Sequence, residues 1–86
     1  MSDFSIGFTR SARKELEALP NQLIQRIFHK IESLATNPRP TGCTKLKGAA
    51  DLWRIRIGDY RVIYSIEDRL IQIEIIAVRH RSEAYD

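Results

Sequence analysis

The segment Leu52 to Tyr64, LWRIRIGDYRVIY, constrains the fold more than any other part of the chain. Apolar and polar residues alternate on both sides of Gly58-Asp59, the period-2 pattern of half-buried strands. A two-residue connection containing glycine is a hairpin signal. With Gly58-Asp59 as the whole turn, Ile57 pairs with Tyr60, Arg56 with Arg61, Ile55 with Val62, Arg54 with Ile63 and Trp53 with Tyr64. A three- or four-residue loop would change these pairs but not the alternation.

Paired residues share a face of the sheet. Trp53, Ile55, Ile57, Tyr60, Val62 and Tyr64 then form an apolar face suited to helices, while Arg54, Arg56, Arg61 and Ile63 form the other. Arginines directly opposite one another repel by a few tenths to ~1 kcal/mol, and the hairpin holds no acid placed to neutralise them. An external anion would relieve this repulsion. Guanidinium groups make bidentate forks to phosphate and stay charged at any relevant pH, so the cluster points to nucleic acid. The plainer alternative is that arginine stems cover the sheet while their heads stay in water.

The rest of the chain supplies the partners of this hairpin. Phe4, Ile6 and Phe8 alternate with Ser5 and Gly7, predicting a first strand over Asp3 to Phe8. Thr9 or Ser11 can cap a helix through ARKELEAL with Ala12, Leu16 and Leu19 on one side. Pro20 breaks that helix and suits the first turn of a second. There Ile24, Ile27, Phe28, Ile31, Leu34 and Ala35 keep helical spacing, and His29 falls on the polar face. Asn37, Pro38 and Pro40 end it, Thr41 to Asp51 reads as a loop, and the hairpin strands follow over Leu52 to Ile57 and Tyr60 to Ile66. Leu70 to Val78 is β-branched on both parities, the signature of a central strand covered on both faces or nearly so. The expected architecture is α+β, in the order β-α-α-β-β-β, with two helices packed on one face of a curved, mainly antiparallel four-stranded sheet. Residues 1–86 form one domain, without repeat or linker.

Composition excludes several classes. A chain of 86 residues with 43% hydrophobic and 29% charged residues has an ordinary soluble composition. No apolar run approaches the ~20 residues of a membrane span, and MSDFSIGFTRSARKE lacks a signal-peptide core, so the cytosol is the expected compartment and no membrane contact is expected. Cys43, His29 and His80 make no plausible zinc set, and no metal or other cofactor is expected. The net charge of +3 is mild but unevenly placed: residues 39–61 carry six basic and two acidic groups, whereas 62–78 carry one and three. A localised basic excess is the footprint of a nucleic-acid site or of a dock for an acidic partner.

The tail RHRSEAYD adds Arg79, His80, Arg81 and Tyr85 just after the last strand. Histidine as a residue type titrates near neutrality, which makes His80 a candidate for proton transfer, and Tyr85 offers a ring for stacking and a hydroxyl for proton transfer. Both residue types also occur in purely structural roles at such positions.

Together, KLKGAADLWRIRIGDYRVIYSI and IEIIAVRHRSEAY resemble the RelE/ParE superfamily of type II toxin–antitoxin toxins, most of all its RelE-like branch. The resemblance spans nearly the whole chain. It implies the RelE-like microbial ribonuclease fold and a ribosome-dependent endoribonuclease that enters the 30S A site and cuts mRNA there, inhibiting translation. The implied chemistry is metal-free: the ribose 2′-OH attacks the adjacent phosphate, leaving a 2′,3′-cyclic phosphate or a 3′ phosphate, and a 5′-OH. Such a reaction needs a base, cations for the phosphorane charge and an acid for the leaving oxygen.

On the matching positions, Arg54, Arg56 and Arg61 would hold the phosphate, Arg79 would stabilise it or act as the acid, Tyr85 would stack on a base or move a proton, and Lys45, Lys47 and Arg81 would contact RNA or the ribosome. RelE-type patterns have lysines where this chain has Arg54 and Arg56. A lysine can act as the base where arginine normally cannot, which leaves the base unassigned, with His80 the first choice and Tyr85 the second. The resemblance also implies a cognate antitoxin, with operator DNA reached only through the toxin–antitoxin complex. Two other readings share the fold: a ParE-like inhibitor of DNA gyrase, and a weakly active relative acting mainly by assembly with antitoxin and operator.

Overall fold

The hairpin forms as the alternation predicts. In the computed structural model, which describes residues 3–48 and 51–83, β3 (Leu52–Ile57) and β4 (Tyr60–Glu67) pair antiparallel with Arg56 opposite Arg61 and Trp53 opposite Tyr64. Gly58 opens the turn at φ +58, while Asp59 keeps an ordinary negative φ, the arrangement of a type II′ hairpin. A Cβ at Gly58 would lie 3.4 Å from the Arg26 guanidinium, a movable tip, so backbone strain decides the cost. Gly58→Ala should therefore lose about 1–2 kcal/mol, and a thermal melt should show Tm lower by roughly 4–8 °C per kcal/mol.

Before the hairpin come β1 (Ser5–Phe8), α1 (Arg10–Glu17), α2 (Asn21–Ser33) and β2 (Thr44–Lys45); after it comes β5 (Gln72–His80). The sheet has five strands in the order β1-β5-β4-β3-β2, with β1 parallel to β5 and the other pairs antiparallel. The extra strand, β2, lies inside the segment expected to be loop. Its two residues pair with Arg54 and Trp53, and two residues are too few to show a period.

Thr9 caps α1 by accepting from the Ala12 N–H at 3.1 Å. Pro20 precedes α2, and its carbonyl accepts from the N–H groups of Leu23 and Ile24. Ala12, Leu16, Ile27, Ile31 and Leu34 pack onto Ile55, Ile57, Val62, Tyr64, Ile66, Ile73, Ile75 and Val78 in one core. Phe28 belongs to the predicted apolar stripe but stays largely exposed, its ring stacked 6.4 Å from that of Phe8. The fully buried Tyr64 donates its hydroxyl to the Pro38 carbonyl at 2.7 Å, and burial pushes its phenol well above the ordinary value. Arg39, one of the basic residues of the middle third, has a structural use: it lies 5.0 Å over the Trp53 ring and bonds both oxygens of Asp68. That bond holds the Asp68 carboxyl below its usual range.

The mixed parity of β5 has a different cause from the expected burial on two faces. Ala77 pairs with Ile63 and Ile75 with Tyr64, so Ile76 has no residue opposite it and forms a β-bulge. Before the bulge Ile73 and Ile75 face the helices; beyond it Val78 does. The alternate residues Gln72 and Glu74 are exposed. A one-residue insertion switches face because the side-chain period is two.

Past the end of β1 the free edge of β5 is taken by α1. The Thr9 N–H donates to the Ile75 carbonyl at 3.0 Å, its hydroxyl donates to the Ile76 carbonyl at 3.3 Å, and the Val78 N–H donates to Glu15 at 3.0 Å. Among the described residues no helix is long and apolar enough to cross a membrane.

Candidate anion-binding face

The bulge determines which tail residue joins the hairpin arginines. Beyond Ile76, Arg79 pairs with Arg61, which pairs with Arg56, so three arginines from β5, β4 and β3 form one row across the sheet. Paired positions lie about 5 Å apart at Cβ, close enough for neighbouring guanidinium groups to share one phosphate. The next row is Thr44, Arg54, Ile63 and Ala77. Both rows lie on the face turned away from the helical core.

The arginines differ in access. Arg56 is exposed and Arg61 is half-buried, whereas Arg54 is only 8% exposed. Arg54 therefore stands behind the row. Each of the three hairpin arginines has an interaction of its own within the fold, so none of them waits for an anion without a partner. Arg79 is held by Glu15, whose Oε2 accepts from its Nε at 3.1 Å. Sequence reading passed over Glu15. Its signal was position: it adjoins Leu16 and lies three residues after Ala12, at the margin of the buried stripe of α1.

At its other end the same face is acidic. Glu67 and Glu74, with Ser5, Gly7, Ser65 and Gln72, line an open cleft of about 490 Å³. A face basic at one end and acidic at the other steers a polyanion toward the arginines and away from the carboxylates.

Other candidates fall elsewhere. His80 pairs with Tyr60, on the opposite parity from Arg79, and the two rings meet edge-on at 5.3 Å. The His80 Nδ1 accepts from the Ser82 N–H at 3.2 Å and lies 2.9 Å from the Ser82 hydroxyl. That contact keeps the proton of a neutral ring on Nε2. Lys45 pairs with Trp53, on the other face from the arginines, and Lys47 lies in the turn that follows; both are exposed. Arg81 ties the tail to the hairpin turn: its N–H donates to the Asp59 carbonyl at 2.7 Å and its guanidinium lies 3.8 Å from the Asp59 carboxylate. Tyr85 lies outside the described residues. No group of three His, Cys, Asp or Glu residues placed to hold a metal ion occurs among the described residues.

Comparison with known proteins adds to this geometry. Residues 6–85 match the family described as the ParE toxin of the type II toxin–antitoxin system parDE. The chain is 35% identical over 81 residues to RelE1 of Methanocaldococcus jannaschii, covering 88% of this chain and 90% of that protein. It is 32% identical over 89 residues to toxin RelE of Mycobacterium tuberculosis, covering 99% and 92%. Among solved structures, the archaeal RelE–RelB complex of Pyrococcus horikoshii contains a chain that superposes with a TM-score of 0.82 at 31% identity, covering 95% of this chain and 99% of that one.

Proposed function

The chain belongs to the RelE/ParE toxin superfamily of type II toxin–antitoxin systems, and from that premise we propose that it is a ribosome-dependent endoribonuclease that cuts mRNA in the A site. The observation that carries this reading is the in-register row Arg56, Arg61 and Arg79 on the face away from the core. A row of guanidinium groups suits a phosphate whose charge grows during attack by the 2′-OH. Arg56, Arg61 and Arg79 contact the phosphate, and the buried Arg54 supports the row from behind. Lys45, Lys47 and Arg81 contact RNA at its periphery.

The proton transfer falls to the tail. Arginine is unsuited to it, and the His80 ring faces Tyr60 rather than the row, so Tyr85 is the stronger choice. Removing the last two residues should lower cleavage by a factor of roughly 10² if Tyr85 moves a proton; a truncated chain with unchanged single-turnover rate would clear it.

A cognate antitoxin is the expected protein partner, since RelE chains in the solved complexes are bound to RelB antitoxins. Operator DNA is reached through that complex. The test of the function is to incubate the purified protein with programmed ribosomes in EDTA and map the cut. Cleavage confined to the A-site codon, leaving a 5′-OH, is the expected result. The family match carries the name of a ParE toxin, so a gyrase supercoiling assay belongs beside it; gyrase inhibition with intact mRNA would replace the nuclease reading.

A further inference from the structure

We propose that Glu15, on α1, is a positioning residue that aims the Arg79 guanidinium at the phosphate; this rests on reading the arginine row as the phosphate site. Both oxygens of Glu15 are engaged. Oε1 accepts from the Val78 N–H at 3.0 Å and Oε2 from the Arg79 Nε at 3.1 Å. The carboxylate is thereby fixed to the strand that carries the arginine it holds.

The choice of donor matters. An arginine bound through Nε keeps its two terminal nitrogens free of that bond, and those form the end-on fork that fits a phosphate. Arg79 is 42% exposed at its side chain and Glu15 29%, so the pair sits at the border of the face, one side against α1 and the other toward solvent. An unrestrained arginine samples many rotamers, and aiming one in advance removes that ordering cost from the reaction. Glu15 also lowers the local positive charge where Arg79 lies across from Arg61, which lets like charges stand in one row. The other acid of α1, Glu17, has a different use: it pairs with Arg13 on an exposed helix surface.

The test compares wild type, Glu15→Gln, Arg79→Ala and the double variant on programmed ribosomes. Glu15→Gln should slow single-turnover cleavage by roughly 10- to 100-fold, with ribosome affinity held within about twofold. Added to Arg79→Ala it should slow nothing further, since it acts through the side chain already removed. An unchanged Glu15→Gln rate, or a loss that multiplies with that of Arg79→Ala, overturns the inference. Absence of cleavage by wild type itself defeats the nuclease reading, and a Glu15→Gln chain that melts below the assay temperature removes the kinetic comparison. In either case the Arg79 Nε–H resonance of the wild type decides: slow exchange with water supports the fixed guanidinium, and exchange at the rate of an exposed arginine overturns it.

Discussion

Arg61→Ala is expected to lower cleavage of ribosome-bound mRNA by roughly 10²–10³, the usual loss when one stabiliser of developing oxyanion charge is removed. Arg61 is the middle of the row, with Arg56 on one neighbouring strand and Arg79 on the other. A phosphate over Arg61 is within reach of either neighbour, so this position alone contributes to both pairs. Stability should change little. The substitution removes two like-charge neighbours, worth up to ~1 kcal/mol each in repulsion, and loses both the packing of a half-buried stem and the interaction that Arg61 makes within the fold, effects of opposite sign. Arg61→Lys should fall between, because a lysine keeps the charge but not the planar fork. Single-turnover cleavage and a thermal melt of the same samples check both halves. An Arg61→Ala protein that cuts at the wild-type rate would take the row out of the reaction.

The features that make this prediction possible were unequally legible in the sequence. The register of β3 and β4 could be read because a two-residue turn leaves one pairing and the alternation is clean on both sides. The helices followed from the spacing that Ala12 and Leu16 keep in α1 and Ile27 and Ile31 in α2. What could not be read was the phase of β5. Ile75, Ile76, Ala77 and Val78 are all apolar, so nothing in composition marks Ile76 as the residue without a partner, and a bulge changes the face of everything after it. Arg79 and His80 were therefore both candidates for the basic face, and the register admits Arg79. Glu15 was hidden for another reason: its partners lie more than sixty positions away in sequence, and a polar residue at the margin of a helix stripe is ordinarily solvated.

Deleting Ile76 should keep Arg79 in the row and retain most of the activity that Arg79→Ala removes. Ile75 lies opposite Tyr64 and Ala77 opposite Ile63, consecutive positions of β4, so taking out the one residue without a partner makes Ile75 and Ala77 consecutive in a regular ladder. No pair on either side of the deletion has to change. Ile73 and Ile75 stay in the core, where they are 2% and 0% exposed, Val78 stays opposite Val62, and Arg79 stays opposite Arg61. A slip of residues 72–75 would instead turn both isoleucines toward water, at about 1.5–3 kcal/mol each, against a whole margin of about 4–13 kcal/mol for a domain of this size. What the deletion removes is the local bend and twist that a bulge gives its strand, together with the Ile76 carbonyl that accepts from the Thr9 hydroxyl. A lower melting temperature is therefore expected, with single-turnover cleavage within about tenfold of wild type. A deletion variant that folds but cuts only at the rate of Arg79→Ala would mean that the bend at Ile76, and not the pairing alone, aims Arg79 at the phosphate.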